Sequence, residues 1–72
     1  MFEEILVNYE ERVITLKYDS PGIYFKVSGR LYDTGDKLFT VSCEVFEIKY
    51  SIKNIHSIDV YNDTLIIQLK ER

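Results

Sequence analysis

Alanine and tryptophan are absent from this chain, and proline, cysteine, methionine and histidine occur once each. Without alanine the strongest helix former is missing, while the apolar content rests on Ile, Val, Leu, six Tyr and four Phe, the side chains that favour strands. Every ambiguous segment is thereby tilted toward sheet. A lone cysteine, Cys43, excludes an internal disulfide, so a secreted mini-protein held by cystines is not expected. Basic residues are outnumbered: nine Lys and Arg against twelve Asp and Glu leave a net charge of −3 and a pI near 5.0. No global positive field then draws the chain onto nucleic acid or an anionic membrane, although a local basic patch is compatible with that balance. Long apolar runs are missing too. The segment Met1 to Asn8 carries Glu3 and Glu4 where a signal peptide carries bases, and its apolar run is too short for a membrane span. The expected setting is the cytoplasm, with no membrane contact, and Asn62-Asp63-Thr64 reads as a turn and not as a glycosylation acceptor.

What is present describes one minimal domain. At 72 residues, 46% hydrophobic and 29% charged, the chain can fill a core and still keep a solvated shell. Its stability is expected on the order of 4–10 kcal/mol, little enough that pairing of edge strands into a homo-oligomer would help.

Period-two alternation is clearest from Ile23 to Tyr32, where Ile23, Phe25, Val27, Gly29 and Leu31 share one face and Tyr24, Lys26, Ser28, Arg30 and Tyr32 the other. Gly29 interrupts the inward row, which predicts a bend or a close backbone approach there. Turn residues bracket this strand at Asp19-Ser20-Pro21-Gly22 and Asp33-Thr34-Gly35-Asp36. Before it, Ile14, Leu16 and Tyr18 alternate with Val13, Thr15 and Lys17. After it the apolar phase runs Phe39, Val41, Cys43, Val45 and then shifts to Phe46, Ile48, Tyr50, Ile52, so a tight turn or bulge is required near Cys43, Glu44 and Val45. From Ile52 to Ile58 the isoleucine spacing becomes three, the mark of a 3₁₀ turn pinned by buried Ile55 and Ile58. A hairpin around Tyr61-Asn62-Asp63-Thr64 follows. At the N-terminus, Phe2, Ile5, Leu6 and Tyr9 match a helical stripe, but Val7 to Lys17 echoes the hairpin of Val60 to Lys70, which favours a first hairpin. The fold class is all-β: a small antiparallel barrel or strongly bent sheet of about five to seven strands.

The stretch from Val13 to about Val60, with Val27-Ser28-Gly29-Arg30-Leu31, Asp36-Lys37-Leu38-Phe39-Thr40 and Ile55-His56-Ser57-Ile58, resembles the small Sm-like β-barrels, and also the YolD-like proteins of Gram-positive bacteria and their mobile elements. Sm-like topology and nucleic-acid binding are what this resemblance implies. The chain departs from the pattern where Asp36 lies one residue too far from Gly29 and where Thr40 stands for the pocket-lining Asn. No Gly follows a basic residue in the second motif either. Fold likeness alone does not license function.

No catalytic set, metal site or cofactor is expected. Cys43 lies on an apolar phase, as a small core residue does, and His56 lies in a turn, with solvent as its ordinary neighbour; a Cys/His dyad needs the two within hydrogen-bond reach. No zinc-ligand spacing or Gly-rich phosphate loop occurs. The candidate site is the outward row Tyr24, Lys26, Arg30 and Tyr32. Rings alternating with bases anchor protein interfaces and also stack on single-stranded nucleic acid, or else simply pair across strands with Val13, Thr15 and Lys17. Acidity disfavours nucleic acid. The chain is therefore expected to be a non-enzymatic module, a small regulator or inhibitor acting by protein–protein contact. An Sm-like nucleic-acid binder is the second reading, and an acidic immunity or antitoxin-type protein masking a basic partner the third.

Overall fold

A computed structural model describes residues 2–35 and 37–70 and shows one short helix followed by six strands. Helix α1 covers Phe2–Asn8; the strands are β1 (Val13–Ser20), β2 (Ile23–Tyr32), β3 (Leu38–Ser42), β4 (Glu47–Ser51), β5 (Ile55–Tyr61) and β6 (Thr64–Leu69), with a 3₁₀ turn at Ile52–Asn54. All lie in one sheet of order β4-β3-β2-β1-β6-β5.

Period two explains the strands. In β2 the odd positions Phe25, Val27, Gly29 and Leu31 are buried or half-buried, while Tyr24, Lys26, Ser28 and Arg30 are exposed. Gly22, at φ +85°, turns the chain from β1 into β2, and the shift of phase after Val41 is absorbed by a turn in which the Cys43 N–H donates to the Phe46 carbonyl at 2.8 Å. Asn62 and Asp63 both take left-handed backbone, as a two-residue hairpin loop requires, and join β5 to β6. The irregular isoleucine spacing also has a cause. A register shift between Ile55 and Ser57 lets Ile55 and Ile58 both face inward, opposite Leu69 and Ile67. Ile55 is buried, whereas Ile58 is only half-buried and packs against the core from its edge.

Leu6, Ile14, Leu16, Leu31, Phe39, Val41, Leu65 and Ile67 are fully buried in one cluster. Six strands spaced at about 4.8 Å span roughly 24 Å. A helix of seven residues is only about 10 Å long. Such a helix cannot cover a flat sheet of that width, so the sheet must curve around its own apolar face, with Leu6 filling the remaining gap.

Three expectations are corrected. The sheet is not closed into a barrel: β4 and β5 are its two edges. It is mixed, not antiparallel, because β1 pairs with β6 in parallel, Leu16 beside Ile67. The inward alternation Leu65, Ile67, Leu69 reads alike in either direction, so periodicity carries no sign of this. And Phe2–Asn8 is a helix, not the first arm of a hairpin. Its stripe Phe2, Ile5, Leu6 and Tyr9 packs on the core, and the free edge of β1 that a hairpin would need is taken by β6. The chain then passes through Glu11 at φ 67° into β1.

Candidate functional site

β2 positions the outward row predicted from its alternation. Tyr24 is 63% exposed and Lys26 and Arg30 are exposed, while Tyr32 is half-buried. Their partners on β1 are set by the register: Val13 opposite Arg30, Thr15 opposite Ser28, Lys17 opposite Lys26, Asp19 opposite Tyr24. On the other side Ser42 faces Arg30 and Thr40 faces Tyr32. The four candidate residues are not equivalent. The guanidinium of Arg30 donates to the Glu11 carbonyl and so fastens the loop that enters β1. Tyr24 and Lys26 have no such task and form the accessible half of the row.

Lys17 and Lys26 are direct cross-strand neighbours, an arrangement of like charges that costs roughly 0.2–1 kcal/mol relative to a neutral pair. The sequence hides this pairing, since the two lysines belong to separate alternations until the register is known. Around them the positive charge is local, in a chain whose net charge is −3.

The edge of β2 is the second feature of the site. Glu11 N–H donates to the Leu31 carbonyl at 2.7 Å and Leu31 N–H to the Arg12 carbonyl at 3.1 Å, so Leu31 turns its backbone groups toward the β1 side. Antiparallel pairing alternates, and the backbone groups of Tyr24, Lys26, Ser28 and Arg30 therefore point the other way. β3 meets that side only from Arg30 to Tyr32. Beyond Ser42 the chain turns away, and among the described residues no strand pairs with this side of β2 ahead of Arg30.

A notch of about 380 Å³ opens there, lined by Val27, Ser28, Cys43, Glu44, Val45 and Phe46. Val45 is 87% exposed and Phe46 44%. The shift of apolar phase places the turn near Cys43, Glu44 and Val45, and the structure closes it at Phe46. Cys43 is half-buried at the notch wall.

His56 is exposed and lines a separate, larger cleft of about 710 Å³ with Asp19, Ser57, Gln68, Leu69 and Lys70. Cys43 and His56 thus occupy different depressions and are not brought together. Among the described residues no group of three or more His, Cys, Asp and Glu is placed to hold a metal ion. Gly29 and Ile55 are buried as structural residues, and Asp36 of the Sm-like pattern lies outside the described residues. No described helix is long and apolar enough to cross a membrane. Against this geometry, known proteins offer no guide: no family profile, curated protein or solved structure matches the chain.

Proposed function

We infer that this chain is a non-enzymatic binding module that acts by contact with another protein through the outward face of β2. The observation that carries the reading is the accessible pair Tyr24 and Lys26, exposed beside a half-apolar notch whose Val45 and Phe46 stand in solvent. Aromatic and basic side chains next to uncovered apolar surface are the composition of an interface centre. The role we assign to that contact is regulatory or inhibitory, exerted by occupying the surface of the protein it meets.

Capture from cell extract with the immobilised chain tests this, using wild type and the variant Tyr24→Ala/Lys26→Ala side by side. The expected result is a protein retained by wild type, lost with the variant, insensitive to nuclease and weakened only slightly between low and moderate salt. An Sm-like nucleic-acid binder would instead lose its ligand to nuclease and show a steep salt slope set by the phosphates contacted, and that outcome would replace the reading. Local basicity at Lys17 and Lys26 gives a masking role toward a basic partner no support on this face.

A further inference from the structure

We propose that the open edge of β2 from Tyr24 to Ser28 takes up an extended segment of the partner as an added strand, and that this segment alternates apolar with acidic residues. The proposal rests on the protein-binding reading above and deepens it. Backbone groups at Tyr24, Lys26 and Ser28 point out of the sheet on the side that β3 leaves uncovered beyond Ser42. Strand addition is the recognition mode that satisfies a row of unpaired main-chain donors and acceptors, with side-chain pockets supplying specificity. An unprotected edge is otherwise blunted by charge, proline or cover. Here the uncovered length carries one charged residue, Lys26, and it points to a face and not into the notch.

The side chains next to the edge define the occupant. A strand laid beside β2 sends alternate residues to opposite faces. Those on the inner side meet Val27, Cys43, Val45 and Phe46, which calls for apolar groups. Those on the outer side meet Lys26, which already stands opposite Lys17. A carboxylate placed there relieves the repulsion between the two ammonium groups, whereas a third cation would add to it. Glu44, at the hairpin tip near Ser28, confines the preference for acid to the Lys26 end of the edge. A second copy of this chain is a poor occupant, because the fullest self-pairing of Tyr24 to Ser28 about a two-fold axis sets Lys26 against Lys26.

The test uses an end-blocked eight-residue peptide of alternating valine and glutamate, titrated into the isotopically labelled chain and followed by amide resonances. Saturable shifts centred on the Tyr24, Lys26 and Ser28 amides are expected, with at least ten-fold weaker binding of the matching valine–lysine peptide. Lys26→Glu should reverse that order. Ser28→Pro removes an outward N–H without touching the ladder to β1, and should abolish binding of both peptides; its folding is checked by the amide spectrum. Equal binding of the two peptides, shifts located away from this edge, or sedimentation of the chain as a dimer that Ser28→Pro dissolves would overturn the proposal. Capture of a protein partner that is unaffected by Lys26→Glu and Ser28→Pro would overturn it while leaving the protein-binding reading intact. Peptide binding at the edge with only nucleic acid captured would uphold the edge and remove that reading.

Discussion

Replacing Gly29 by valine perturbs the fold at one defined contact. Gly29 lies in β2, opposite Ile14 and one residue before the ladder to β3 begins, and its backbone is extended, not left-handed. The cost of a side chain there comes from space alone. A Cβ built on Gly29 falls 2.7 Å from the Ser42 carbonyl oxygen, 2.7 Å from Val41 Cγ1 and 3.1 Å from Cys43 Sγ. Carbon atoms settle at about 3.5–4.0 Å, so relief requires a shift of most of an ångström. The Val41 methyl can rotate. The Ser42 carbonyl cannot move without displacing β3. Alanine should therefore cost about 1–2 kcal/mol, and valine, with two further methyl groups, about 2–3 kcal/mol, within the range for overpacked sites. With a urea m-value of about 1 kcal/mol/M for so small a domain, the valine variant should unfold about 2–3 M earlier than wild type. Val41 is itself fully buried, so Val41→Ala carries its own cost, but Gly29→Ala/Val41→Ala should lose less than the sum of the two single changes, since one of the two closest atoms has gone. Urea unfolding followed by circular dichroism measures each of them. An unchanged or higher midpoint for Gly29→Val, where β-propensity alone would favour valine, would refute the close approach of β2 and β3.

Other perturbations have equally definite outcomes. Asp63→Gly should raise stability by about 0.5–1 kcal/mol, because Asp63 sits at φ 61° and glycine takes left-handed backbone without strain; thermal unfolding decides, and the Arg12 bond to the Asp63 carbonyl at 3.1 Å survives the change. Lys26→Glu should stabilise the free protein by about 0.5 kcal/mol by removing the repulsion from Lys17, a gain that disappears in high salt. A lower midpoint at low salt would contradict the assigned register. Cys43, half-buried at the notch wall, should react with a thiol reagent at a rate that stays flat with urea below the unfolding transition. A rate that climbs exponentially with urea would place the thiol in the core instead.

Alternation made much of this fold readable in advance. β1 and β2 and the turn between them follow from Ile14/Leu16 and Phe25/Val27/Leu31 with Pro21-Gly22, and the turn at Cys43–Phe46 follows from a phase that cannot shift without an extra residue. Phe2, Ile5, Leu6 and Tyr9 were ambiguous because a short apolar stripe fits helix and strand alike, and the choice is made by tertiary packing: Leu6 is fully buried under a curved sheet that has no vacant pairing edge there. The parallel neighbours β1 and β6 were illegible for a similar reason, since side-chain pattern records which face is inward and not which way a neighbour runs. Gly29 was correctly singled out, but its close contact is with the end of β3 and not with the wall of a closed barrel. At the site, the outward row Tyr24, Lys26, Arg30 and Tyr32 could be listed from spacing alone. The binding of Arg30 to Glu11 and the opposition of Lys17 and Lys26 needed the register. So did the uncovered edge, which exists because β3 stops pairing at Ser42 while β2 extends further.

Amide hydrogen exchange along β2 tests the central claim most directly, because it reports which backbone groups of this strand are paired and needs no partner. With β2 open on one side, protection should alternate: the Phe25, Val27 and Gly29 amides, bonded to β1, exchange slowly, and those of Tyr24, Lys26 and Ser28 exchange faster by about two orders of magnitude or more. The Tyr32 amide, under the β3 ladder, should be protected as well. Uniform protection from Tyr24 through Ser28 would mean that another strand closes over this edge, and the proposed site would not exist.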